Sequence, residues 1–181
     1  MATWLTEAKA VDTAVYAAIA DTETPTLDSA MRQLTRAADH GKLWFGAAAG
    51  LALCGGADGR RAAIHGLASL GIASAFANLV AKPLTTRRRP QREELALLAR
   101  RHVPMPHSSS FPSGHTASAF AFATGVGQAQ PALSAPLRAL ATLVGYSRVH
   151  TGVHYPADVL AGAFIGVSAA ELAGRLLKRR D

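Results

Sequence analysis

Ser147-Arg148-Val149-His150-Thr151-Gly152-Val153-His154-Tyr155-Pro156-Ala157-Asp158 is the stretch whose reading decides the fold and the chemistry. It holds one arginine, two histidines and one aspartate, with Gly152 and Pro156 placed to bend the backbone between them. Apolar, helix-forming sequence flanks it on both sides. Ionisable groups set among apolar helices are costly to bury and mark functional sites. The stretch therefore predicts a histidine nucleophile and part of a phosphate-binding site, with the remaining parts supplied from elsewhere in the chain.

Working outward, Ala157–Leu177 reads as an apolar helix closed by Lys178-Arg179-Arg180, and Leu137–Tyr146 as the apolar helix that leads into the stretch. Pro131–Pro136 reads as a turn. Before it, Pro112-Ser113-Gly114-His115 opens a helix that runs to about Gln128. Ala62–Ala81 is 20 residues long, the length needed to cross a bilayer. Leu43–Ala57 is apolar but shorter, and Gly55–Arg61 reads as a polar, basic turn. Lys82–Ser110 is the longest polar stretch, with a helical piece at Glu93–Arg101, and a connection of that length is usually functional. Residues 4–20 and 26–38 read as amphipathic helices, with Leu5, Ala8, Val11, Val15 and Ile19 as the apolar face of the first and Leu27, Met31 and Leu34 as that of the second. Glu7, Lys9 and Asp12 stand where the apolar core of a signal peptide would lie.

The fold expected is all-α: a multi-pass transmembrane bundle of about five spans, forming one domain over residues 1–181. Amphipathic helices occupy 1–41, the bundle 42–178 and a basic tail 179–181. Alternation of five spans places the ends of spans two and four and the starts of three and five on one face. Arg60, Arg61, Arg138 and the C-terminal cluster fall on the other, which the positive-inside rule makes cytoplasmic. The active face then looks outward.

Charged residues make up 17% of the chain and the formal net charge is +7. The basic residues form short clusters between apolar blocks rather than a stripe interleaved with aromatics, which excludes nucleic-acid binding. Cys54, the single cysteine, is expected to be a buried, inert thiol. Nothing in the sequence reads out an oligomeric state.

The active face gathers Lys82, Arg89, Ser113, Gly114, His115, Arg148, His154 and Asp158. Three fixed cations suit the three non-bridging oxygens of a phosphoryl group. The Ser113-Gly114-His115 turn offers backbone N–H groups at a helix start, and Gly114 permits close approach. Asp158 lies one helical turn beyond His154 and can fix its tautomer. That makes His154 the nucleophile and His115 the general acid. No metal or other cofactor is called for, because lysine and arginine supply the positive charge. His150, His154 and Asp158 also stand at i, i+4 and i+8, as metal ligands can, but Gly152 and Pro156 interrupt any one helix that would align them.

Lys82, six residues, then Arg89-Pro90; Pro112-Ser113-Gly114-His115; and Ser147-Arg148, five residues, His154, three residues, Asp158 together resemble the three-part signature of the type-2 phosphatidic acid phosphatase superfamily, the lipid phosphate phosphatases. The resemblance implies a helical membrane bundle, a phosphohistidine intermediate, no metal, and a site at the outer face of the bacterial plasma membrane. It also implies a lipid-linked phosphate as substrate and membrane lipids as surroundings. The substrates it offers are phosphatidic acid, phosphatidylglycerol phosphate, isoprenyl pyrophosphate and polyprenyl-linked sugar phosphates. Small size and an Ala/Arg-rich composition are similar to actinobacterial members concerned with cell-wall precursors. Two other classes stay open: the soluble vanadate-binding haloperoxidases, whose chains are longer and lack spans, and a silent membrane protein that binds lipid phosphate.

Outside the signature, Arg87 and Arg88 are expected to be solvated or lipid-facing, Trp44 an interfacial anchor, and His65 a satisfied polar group within a helix. Asp39 and His40 are candidates for the pocket mouth. His102, His107 and Ser108–Ser110 read as loop, and His150 and Tyr155 have no assigned role.

Overall fold

The computed structural model describes residues 3–91 and 101–179. Seven α-helices are seen there and no strand. They are α1 (Thr3–Asp21), α2 (Pro25–Ala37), α3 (Lys42–Cys54), α4 (Gly56–Ala75), α5 (Gly114–Ala129), α6 (Ser134–His150) and α7 (Pro156–Lys178). The helical piece expected at Glu93–Arg101 lies, except for Arg101, outside the described residues.

α5 is the axis of the bundle and packs against α4, α6 and α7. It buries Ala117, Ala119, Ala121, Phe122, Ala123 and Val126, so apolar side chains surround it rather than form a stripe. α7 approaches it through Gly162 and Gly166, one helical turn apart. A Cβ at Gly162 would stand 2.5 Å from the Ser113 carbonyl oxygen, and one at Gly166 2.4 Å from that of Ala117. Only glycine allows this approach, as in small-residue membrane packing. The contact brings the starts of α5 and α7 together, and Ser113 N–H donates to the Asp158 carbonyl at 3.0 Å.

Two helical stretches, Gly56–Ala81 and Pro156–Lys178, are long and apolar enough to cross a bilayer. α3, α5 and α6, at 13, 16 and 17 residues, fall short of the roughly 20 that a full span needs. The described helices therefore support two of the five expected spans by length alone.

Several expectations are corrected. The turn before α4 is confined to Gly55-Gly56, where Gly56 takes φ +61°, and Arg60 and Arg61 lie inside the helix. The turn near Pro131 is a single 3₁₀ turn, Pro131–Leu133, and α6 starts at Ser134, because proline is tolerated in a first helical turn. Trp44 is 1% exposed and packs on Phe122 with ring centroids 5.3 Å apart, so it is core rather than interface. Cys54 is exposed at the end of α3. In α1 the buried residues are Asp12, Tyr16 and Ala20, while Leu5, Val11 and Val15 stay exposed. Apolar periodicity located the helix but not the face that packs. The reason is that Asp12 and Tyr16 have partners in the site below.

Candidate active site

The site forms where α4 ends, α5 and α7 begin and α6 ends. α4 runs on through a π-helical turn, Phe76–Ala81, into Lys82; π turns recur at functional sites. Lys82 Nζ donates to Asn78 Oδ1 at 2.8 Å and lies beside Gly114, at 3.5 Å from where a Cβ would be. Burial lowers the Lys82 pKa, and the charges of Arg89 and Arg148 lower it further. Three cations within mutual range form a cradle for a multiply charged anion.

Arg89 is fixed by the loop before α5 and by the bend after α6. It donates to the carbonyls of Ser108 at 3.0 Å, Ser109 at 3.2 Å and Val153 at 3.0 Å. Its Nη1 stands 3.3 Å from His154 Nε2. Arg148 is 2% exposed, donates to the Thr35 hydroxyl of α2, and lies 3.9 Å from Asp39. The bend expected from Gly152 is present, with φ +67°. Residues 151–155 turn there, and Pro156 starts α7 at its first position, as its fixed φ favours.

His154 is 2% exposed. Its Nδ1 is 3.6 Å from Asp158 Oδ2, an ion-pair distance slightly beyond a hydrogen bond, as free enzymes often show before substrate tightens the site. Burial pushes the His154 pKa down to about 4, the Asp158 carboxylate opposing and the charges of Arg148 and Arg89 adding to the fall. At neutral pH an imidazole so placed is uncharged, the form that nucleophilic attack would require.

Asp158 is completely buried. Its Oδ2 accepts from the Ser110 hydroxyl at 2.5 Å and from Tyr155 N–H at 2.9 Å, and its Oδ1 from Arg87 at 2.7 Å. Ser113 caps α5, its hydroxyl accepting from Thr116 N–H at 3.4 Å and from the Thr116 hydroxyl at 2.9 Å. Its side chain and its own N–H are thus engaged within the protein. The first-turn N–H groups of Gly114 and His115 have no intrahelical acceptor and stand at a helix start, where anions are bound. His115 Nε2 lies 2.8 Å from Asp39 Oδ1. A cavity of about 430 Å³ opens between Lys82, Gly114 and His115 and reaches His40, Phe45 and Leu70.

All eight predicted residues therefore meet at one end of the bundle. Sequence reasoning missed the partners around them. Arg87, expected to be solvated, bridges Asp158 and Asp12 of α1 and lies 4.6 Å over the Tyr155 ring. Asp12 also accepts from Ala157 N–H at 2.8 Å, at the start of α7. Ser110, read as loop, is buried against Asp158. His150 pairs with Asp28 of α2 at 2.8 Å, and the same carboxylate holds buried Arg101 at 2.6 Å. His150 ends α6, His154 lies in the bend and Asp158 belongs to α7, and the first two face different carboxylates. The one available signal was chemical: Asp12 and Asp28 are carboxylates in otherwise mixed helices, too costly to bury without cations.

The sequence pattern described as the PAP2 superfamily matches residues 62–180. A decaprenylphosphoryl-5-phosphoribose phosphatase from Mycolicibacterium smegmatis is 36% identical over 157 residues, 84% of this chain and 79% of that protein. A lipid A 1-phosphatase from Porphyromonas gingivalis is 41% identical over 69 residues, 36% of this chain but only 16% of that protein. The crystal structure of a transmembrane PAP2 type phosphatidylglycerolphosphate phosphatase from Bacillus subtilis superimposes with a TM-score of 0.74, at 23% identity, over 97% of this chain and 88% of that one. At that identity the superposition speaks for the fold.

Proposed function

Because this chain belongs to the PAP2 superfamily, we propose that it is a multi-pass membrane phosphatase that removes phosphate from a lipid-linked substrate through a phosphohistidine, with no metal. One observation carries the mechanism. His154 presents Nε2 toward the Arg89 guanidinium, at 3.3 Å, and Nδ1 toward the Asp158 carboxylate, at 3.6 Å. The nitrogen on the cationic side is the one that reaches phosphorus, and the carboxylate on the other side stabilises the charge that develops.

In the first step the Nε2 lone pair forms the N–P bond as the ester P–O bond breaks. The leaving oxygen takes a proton from His115. In the second step water attacks phosphorus, His115 takes its proton, the P–N bond breaks, and inorganic phosphate leaves with His154 neutral again. Lys82, Arg89 and Arg148 hold the non-bridging oxygens throughout, joined by the N–H groups at the start of α5.

The apolar wall of the cavity, with Phe45 and Leu70 beside Lys82 and His115, suits a substrate whose tail stays in the bilayer. A polyprenyl-linked sugar phosphate is the substrate we favour, supported by the relative aligned over most of both chains. Residues 1–181 act as one domain in the plasma membrane, with the site facing outward. The test is phosphate release from a panel of lipid phosphates (polyprenyl phosphosugar, phosphatidic acid, phosphatidylglycerol phosphate and isoprenyl pyrophosphate) in detergent, with His154→Ala as control. Release confined to the wild type supports the reading. Release unchanged in His154→Ala overturns it.

A further inference from the structure

The helix α2 ends in a turn that does something other than connect. Ala38 leaves the helix, and then His40 takes φ +55° and Gly41 φ +74° before α3 begins. A left-handed non-glycine residue costs free energy and is retained where neighbouring contacts require it. The contact required here belongs to Asp39. The turn points its side chain across to α5, where Oδ1 meets His115 Nε2 at 2.8 Å. The same oxygen lies 3.9 Å from Arg148, which Thr35, one helical turn earlier, also holds. Asp39 stays about two-fifths exposed, so it keeps its charge without a large burial cost. The His115 hydrogen bond holds its carboxyl below the usual range, against the effect of partial burial and with help from Arg148 and His40.

We infer that Asp39 is a positioning residue for the general acid: it forms with His115 a second carboxylate–histidine pair, opposite the Asp158–His154 pair of the nucleophile. The inference rests on the phosphohistidine reading above. With Nε2 held by Asp39, His115 turns Nδ1 to the leaving oxygen. It gives up the Nδ1 proton as the P–O bond breaks and recovers one there from the attacking water. The Asp39 carboxylate stabilises the imidazolium present before the first step and after the second. Burial disfavours that imidazolium most, and Arg148 and Lys82, which face His115 from α6 and from the end of α4, add to the effect. Asp39 is the anion set against them. It lies before residue 62, where the match to the family pattern begins, so the signature does not include it.

The experiment is a leaving-group comparison on the full-length protein in detergent. Asp39→Asn and Asp39→Glu are measured on two substrates. One is the lipid phosphomonoester that the wild type hydrolyses fastest, whose alkoxide needs a proton to leave. The other is p-nitrophenyl phosphate, whose phenolate leaves without one. Asp39→Asn should lower kcat/KM, which covers only the steps through P–O cleavage, about tenfold or more on the lipid ester and change kcat/KM on p-nitrophenyl phosphate by less than about threefold. Asp39→Glu should restore part of the lipid activity. Equal losses of kcat/KM on both substrates would reduce Asp39 to a structural contact and overturn the inference. So would a gain in kcat/KM on both, the signature of a carboxylate that merely occupies the phosphate site and must be displaced. Activity that survives His154→Ala would instead bring down the phosphohistidine reading, and this inference with it.

Discussion

Arg87 donates to the completely buried carboxylate of Asp158 at 2.7 Å, and its other terminal nitrogen pairs with Asp12 of α1. In the proposed mechanism the aspartate that orients the nucleophile is thus itself held by a cation, which a helix outside the signature keeps in place. Removing that cation leaves the buried carboxylate without a charged partner on Oδ1, so that Ser110 and Tyr155 N–H on Oδ2 hold its orientation toward His154 less firmly. Arg87→Ala should lower kcat about tenfold to a hundredfold with a smaller change in KM, the range seen when an outer partner of a catalytic ligand is lost. Steady-state kinetics on the best lipid substrate check this. A change confined to KM would make Arg87 a substrate ligand instead.

Burial and the charges of Arg148 and Arg89 hold the His154 pKa at about 4, from an ordinary 6.5. The free-enzyme acid limb of kcat/KM that belongs to the nucleophile should therefore fall near pH 4 rather than near 6.5. Replacing Arg89 by Met removes one of those charges and should move the limb upward, apart from the loss in rate. The same depression affects stability. The folded state takes up this proton less readily than the unfolded state. The His154 contribution is thus neutral above about pH 6.5 and turns unfavourable as pH falls from 6.5 toward 4. A pH series of kcat/KM beside one of thermal melting separates the two effects.

The fold, and the gathering of the eight candidate residues at one end of the bundle, were readable because each has a local signature. Long apolar runs gave the helices, and the spacing of His154 to Asp158 gave one pair. Alternation of the helices gave the shared face. The surrounding partners were not readable, because they are long-range. Arg87 meets Asp12 across 75 positions and His115 meets Asp39 across 76. Periodicity also gave the wrong packing face for α1, since it scores Asp12 as polar and hence exposed. In the fold the position is buried, and what permits that is a cation elsewhere in the chain.

Gly166 has no room for a side chain. A Cβ there would stand 2.4 Å from the Ala117 carbonyl oxygen and 2.8 Å from Ala121 N. Neither backbone atom can move without shifting α5 as a whole. Gly166→Ala should destabilise the bundle by roughly 1–3 kcal/mol and Gly166→Leu more. Activity should fall in step, because α5 and α7 carry His115 and Asp158. Gly46, in α3, has open space where its Cβ would lie, and Gly46→Ala should leave melting nearly unchanged. Thermal melts of the three variants in one detergent make the comparison.

Asp28 is the most exacting test of the N-terminal helices. It is buried, and one oxygen meets the His150 ring at 2.8 Å, Arg101 at 2.6 Å and the Thr24 hydroxyl at 3.1 Å. Arg101 in turn donates to the carbonyls of Ile19, Ala20 and Thr22, at the end of α1 and just beyond it. One carboxylate thus ties the α1–α2 connection to the end of α6, two residues from Arg148. Asp28→Asn is nearly isosteric but removes the charge that buried Arg101 requires. Breaking such a pair from one side costs about 3–5 kcal/mol, so melting should drop sharply. Asp28→Asn with Arg101→Met removes both charges and should recover part of the loss. If the double variant is no more stable than Asp28→Asn, the ion pair is not what fastens α1 and α2 to the bundle. If it recovers stability but not turnover, the paired charges also set the placement of Thr35 and Asp39, and through them Arg148 and His115.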